Sequence, residues 1–126
     1  MAVTHSNAAK SAAADAVLGL LDVGSGANGL LELQTSGGVE VATLDLSDPA
    51  FGAASNGVAT ANSIADDANA TGGTIAQFEL QNKDGTGVVF GSVTLVSGGG
   101  DIEMSSVVIG AGDTVRVTSL QYTAMP

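Results

Sequence analysis

The chain contains no cysteine and no tryptophan, and only one tyrosine, three phenylalanines and two prolines among its 126 residues. The lack of cysteine removes disulfides and thiolate metal sites, and with them any mark of redox compartment. Basic residues are almost as scarce: Lys10, Lys83 and Arg116 stand against 13 acids, for a formal net charge of −10. Binding nucleic acid requires clustered Lys and Arg to neutralise phosphates, so that class is excluded. Binding to an anionic membrane surface is disfavoured for the same reason. No apolar run approaches the ~20 residues of a membrane span. The first residues do not read as a signal peptide, because Asp15 interrupts their apolar stretch and Lys10 alone is a weak basic region. The protein is expected to be made in a cytoplasm and to leave it, if at all, by a route such as cell lysis.

What remains is ordinary in hydrophobicity, at 44%, and poor in charge, at 13%. That charged share is about half the usual one. The surface must then be built largely from Ser, Thr, Asn, Gln, Gly and Ala, which suits a chain packed against neighbours. The acidity favours solubility and repels like copies, which a basic partner surface would offset. The length fits one domain over residues 1–126 with one core.

Residues 6–22 read as a helix, rich in Ala and Leu. Ala14, Val17, Leu18 and Leu21 recur at i, i+3, i+4 and i+7 as one apolar stripe, with Ser11, Asp15 and Asp22 expected on the opposite side. Thr4 or Ser6 is placed to cap the start, and Gly24 to close the end.

Beyond Gly29 the helical period vanishes and short apolar runs alternate with turn signals, the pattern of an all-β domain. Strands are expected at residues 30–35 and 39–46, joined by Ser36-Gly37-Gly38, and more weakly at 57–64. Residues 47–56, with Pro49, read as an ordered crossing loop, and 65–73 as an acidic loop. Residues 74–81 alternate Ala76, Phe78 and Leu80 with Gln77, Glu79 and Gln81, a half-buried strand. A turn at 82–85 returns it into 88–96, where Val88 and Phe90 occupy one parity and Val89, Val93 and Leu95 the other. A strand apolar on both sides is expected to be covered on both, and in a small sandwich the second cover can be another subunit. A turn at 97–100, a further strand or pair at 101–109, and a last strand at 114–123 with a bulge near Thr118-Ser119 complete the chain. The expected fold is mainly β: a single β-sandwich, immunoglobulin-like or jelly-roll, of about seven or eight strands with one N-terminal α-helix.

Several motifs have an innocuous reading. Gly24-Ser25-Gly26-Ala27-Asn28-Gly29 matches G-x-G-x-x-G, but it follows a helix and precedes a strand, the reverse of a dinucleotide site. His5 is the only histidine, near the chain start and without a nucleophile elbow to serve. Asp45, Asp48, Asp66 and Asp67 lack the spacing of a calcium loop and suit turn and amide capping. The scarcity of aromatic platforms argues against a sugar site. The sequence therefore suggests no catalytic residue, cofactor or metal, and not an enzyme. Phe51, within Leu44-Asp45-Leu46-Ser47-Asp48-Pro49-Ala50-Phe51-Gly52, is expected to plug the sandwich end while Pro49 fixes the turn.

That stretch, from Ala42 to Gly52 and on through Gly57-Val58-Ala59-Thr60-Ala61-Asn62, resembles a family of small bacteriophage structural proteins. So do Asn7 to Val17, Phe90-Gly91-Ser92-Val93, Gly112 to Val117, and Tyr122-Thr123-Ala124-Met125-Pro126. Residues 30–41 depart from the family pattern, being shorter and more acidic. The resemblance implies a virion component, with head decoration (cement) as the leading role: a protein on the outer surface of the particle, made in the host cytoplasm. It would bind the major capsid protein and copies of itself, as a trimer. A tail component or fibre-base adaptor is a second reading, and a carbohydrate- or calcium-binding module on the virion surface a third. The expected contact surfaces are Ala14, Val17, Leu18 and Leu21 on the helix and Val89, Val93 and Leu95 on the doubly apolar strand, with ordinary core as the competing reading.

Overall fold

The computed structural model describes residues 3–124; Met125 and Pro126, which close the last stretch of the resemblance, lie outside the described residues. The chain is mainly strands with one N-terminal helix, a β-sandwich-like fold. Helix α1 (Asn7–Gly19) begins where the Ser6 hydroxyl accepts the Ala9 N–H at 3.1 Å. It tightens into a 3-10 turn (Leu20–Asp22) before the glycine-rich loop. Nine strands follow: β1 (Leu30–Gln34), β2 (Glu40–Asp45), β3 (Val58–Thr60), β4 (Gly73–Thr74), β5 (Gln77–Gln81), β6 (Gly87–Leu95), β7 (Ile102–Met104), β8 (Val108–Ile109) and β9 (Gln121–Thr123). The main sheet runs β2-β1-β5-β6-β7, and two ribbons, β3-β9 and β4-β8, stand apart from it.

The period-2 pattern sorts the main sheet into two faces. Leu31, Leu33, Ala42, Leu44, Phe78, Leu80 and Val93 point inward and are buried. They meet Leu18 and Leu21 of the helical segment, Phe51, Ala59, Ile75, Val115, Val117 and Leu120 in a contiguous core. Phe51 is buried there, beside the cis Asp48–Pro49 bond, as expected of a plug. Bulges at Leu33/Gln34 and Leu80/Gln81 keep the registers in phase.

The helix departs from expectation in its polar residues. At about 100° per residue, Ser11 and Asp15 lie beside Leu18, not opposite it. They form an arm that holds the loop at residues 47–57. The Ser11 hydroxyl accepts the Gly57 N–H at 3.1 Å, Asp15 accepts Ala54 N–H at 2.9 Å and Asp22 accepts Ala50 N–H at 2.9 Å. Buried backbone donors need such partners, and the helical segment supplies them at Ala50 and Gly57, with a third, more exposed bond at Ala54.

Two further findings concern the later strands. Val89 and Val93 lie on the inner parity and Phe90 on the outer, as the alternation predicts, with Phe90 68% exposed and opposite Glu79. The strand is therefore not covered on both faces within this chain. The last expected strand is interrupted: Val115 makes an isolated bridge to Asp67, and only Gln121–Thr123 pairs with β3. Val117 and Leu120 are nevertheless buried, so the parity change falls in an unpaired extended segment and not in a bulge.

β6 and β7 run parallel across a loop far shorter than a usual crossover. Gly98-Gly99-Gly100 make this reversal feasible. A Cβ at Gly98 or Gly100 would lie 2.7 or 2.9 Å from the Thr94 side chain, and Gly99 has φ +83°.

Candidate interaction surface

Of the seven expected contact residues, four belong to this chain's own core. Ala14, Leu18, Leu21 and Val93 are buried, because the main sheet and the 47–57 loop fold over the helix stripe and β6 is an interior strand. Val17 and Val89 are half-buried. Leu95 alone is exposed, at 52%. The competing reading, ordinary core, therefore describes most of that set.

What the fold leaves outside is different. Leu95 stands next to half-buried Met104 across the β6-β7 ladder, with Val96, 63% exposed, following it. Phe90 and Val108 are also outward. Scattered exposed apolar residues are common, but Leu95, Val96 and Met104 gather at one end of the sheet.

The outer face of the sheet is a polar ladder. Glu32 pairs with Glu79 and Gln34 with Gln77 across β1 and β5. The Gln34 amide donates to Glu32 at 2.9 Å and to Glu79 at 3.2 Å, and accepts from Gln77 at 2.9 Å. Gln81 donates to the same two carboxylates at 3.1 and 3.3 Å. The alternation in the sequence gives Gln77, Glu79 and Gln81 as the polar side of a half-buried strand and assigns no role to Glu32 and Gln34. Gln and Glu at alternate positions in both Leu30–Gln34 and Gln77–Gln81 were the available signal.

The loop acids are occupied by local duties. Asp66 takes the Arg116 guanidinium with a shortest contact of 2.8 Å. That hydrogen bonding holds the Asp66 carboxyl below the usual carboxylate range; desolvation opposes it and coulombic attraction to Arg116 adds to it. The same hydrogen bonding raises Arg116, with the charge of Asp66 adding and desolvation opposing. Asp48 meets Lys83 at 2.7 Å. Asp67 accepts the Asn69 N–H and, at 2.9 Å, the Thr43 N–H on the free edge of β2. On either side of that bond, Ala65 N–H donates to Asp45 C=O and Gly72 N–H to Val41 C=O. The 65–72 loop thereby seals the β2 edge. Among the described residues, no three His, Asp or Glu side chains converge in a way that could hold a metal ion.

The glycine-rich stretch packs on the β5-β6 turn. Ser25 N–H and hydroxyl both donate to Asp84, and Lys83 N–H donates to Val23 C=O at 3.0 Å. Gly26 lies against the Lys83 carbonyl, closer than a side chain would permit. This is the helix stop and loop expected from its context. His5 is exposed just before the Ser6 cap.

The opposite edge of the sheet is open. A groove of about 600 Å³ separates β7 from the extended segment at residues 116–121. Buried Ile102, Val117 and Leu120 and half-buried Met104 line it, with Asp101 and Glu103 on its β7 side. Among the described residues no helix is long and apolar enough to cross a membrane. Neither a family model, nor a curated protein, nor a solved structure matches the chain.

Proposed function

We propose that the chain is a structural protein of a bacteriophage particle, a head decoration protein that binds the outer surface of the major capsid protein lattice and associates with its own copies as a trimer. The observation that carries this reading is the exposed apolar end of β6, Leu95 and Val96, on a surface with few charges to hold neighbours away. The sequence resemblance to small virion proteins points the same way. Its action is mass action: a protein that binds only the assembled lattice stabilises that lattice in proportion to its occupancy. Leu95, Val96 and Phe90, exposed apolar side chains on and just after β6, take the place of the buried members of the helix stripe as the proposed contact residues.

The test is the mass of the purified protein in solution, followed by its addition to capsids prepared without it. A trimer that saturates capsid sites and raises their melting temperature supports the reading. Rings or tubes that ignore capsids would move the protein to the tail.

A further inference from the structure

We infer that the groove between β7 and residues 116–121 is a strand-addition slot for an extended peptide segment of another protein, one that alternates apolar and basic residues. Val96 N–H donates to Met104 C=O at 3.1 Å, which fixes the parity of the β6-β7 ladder. The Met104 backbone faces β6, so the Glu103 N–H and C=O face the groove. Across the groove, the backbone groups of Val117, Thr118 and Ser119 make no hydrogen bond among the described residues. A strand edge and a facing segment outside any strand, both with unused donors and acceptors, thus flank one slot that an added strand could enter by main-chain pairing.

The side chains define the guest. Positions of an added strand in register with Ile102 and Met104 would point toward the apolar floor that these two form with Val117 and Leu120. Positions in register with Glu103 would point outward, beside Glu103, which accepts the Gly99 N–H, and Asp101, which accepts the Ser92 N–H and hydroxyl; these bonds to neutral donors leave both negative charges in place, and a Lys or Arg there makes a favourable cross-strand pair. The one cation lining the groove, Arg116, is committed to Asp66. At this acidic edge a second copy, with its own net charge of −10, is disfavoured against a segment of a basic protein; contacts between copies elsewhere on the surface are a separate matter. The other edge, β2, offers no such place because Asp67 and the 65–72 loop seal it. The inference rests on this geometry and holds whichever part of a particle the protein occupies.

The experiment titrates the full chain with a capped heptapeptide of alternating Val and Lys, following backbone amide chemical shifts. Controls are the Val/Glu counterpart and a Val/Lys peptide N-methylated at every second amide. The expected result is saturable shifts at residues 102–105 and 116–121, with binding weakened about tenfold or more by either control change. In the Glu103→Gln variant, which removes the charge and keeps an oxygen to accept the Gly99 N–H, the preference for the Val/Lys over the Val/Glu peptide should fall. Absence of groove shifts at about 1 mM peptide, or equal binding of the N-methylated peptide, overturns strand addition. Concentration-dependent shifts at the same residues without any peptide would show a second copy in the slot and overturn the basic partner.

Discussion

Glu32 and Glu79 stand directly opposite each other across β1 and β5, two carboxylates of like charge in one cross-strand pair. Such a pair is ordinarily destabilising. Here the amides of Gln34 and Gln81 each donate to both carboxylates, closing a ring of four side chains. Gln34 is buried, with its amide nitrogen and oxygen both engaged. Replacing it by Leu should cost about 1–3 kcal/mol, the scale for orphaned partners of a charged hydrogen bond. Urea unfolding reads this directly. Adding Glu79→Gln to Gln34→Leu should recover part of the loss, because the remaining repulsion is gone; further loss from the second change would show that the carboxylates are not in conflict.

The 47–57 loop should depend on the helix through single side chains. Asp22→Ala removes the acceptor of the buried Ala50 N–H, and a loss of about 1.5–3 kcal/mol is expected for a charged acceptor. Hydrogen exchange at Ala50 should accelerate along with its loop neighbours, while exchange in β5 follows only the global change. Uniform acceleration across the whole chain would mean that the loop is not a separate unit.

Core and surface should separate cleanly among the seven residues expected from sequence to make contacts. Leu18→Ala should destabilise by about 2–5 kcal/mol, since Leu18 is buried in the shared core. Leu95→Ser should change stability by no more than about 0.5 kcal/mol and weaken self-association, measured by sedimentation. If Leu95→Ser unfolds the monomer, the end of β6 belongs to the core and not to an interface.

The Asp66–Arg116 pair gives the pH dependence a sign. Asp66 has a folded pKa below its unfolded value, so its contribution is full above the unfolded value of about 4 and disappears as pH falls through the folded one. Asp66→Asn should therefore be less stable than the parent at neutral pH, and the two should converge as pH falls below the lowered folded pKa. The pair is exposed, so the gap should shrink in high salt. A gap that persists unchanged in acid would show that the charge on Asp66 is not its source.

The helix, its Ser6 cap and the β5-β6 hairpin were legible because each is written in adjacent residues: a 3.6 period, a hydroxyl before it, an alternation broken by Asn82-Lys83-Asp84-Gly85. Ser11, Asp15 and Asp22 were misread for the opposite reason. Their partners lie 28 to 46 residues away, and a side chain that meets a distant amide leaves no periodic trace. The same holds for Asp67, which looked like a loop acid and guards the edge of β2. The parallel entry of β7 was illegible because Ser97 to Gly100 announce a turn without saying in which direction the chain leaves it. Ala14, Leu18, Leu21 and Val93 of the expected contact set are buried in this chain, because an apolar stripe marks burial, and only the fold decides whether the cover is the same chain or another.

A sheet with one closed and one open edge has a valence of one. With β2 blocked by Asp67 and its loop, any strand accepted at β7 ends the series, and the product presents no fresh edge on the far side. Copies of this chain joined edge to edge would stop at a closed pair and could not propagate into a filament. At high local concentration, that asymmetry caps growth at a finite object where two open edges would seed a fibre.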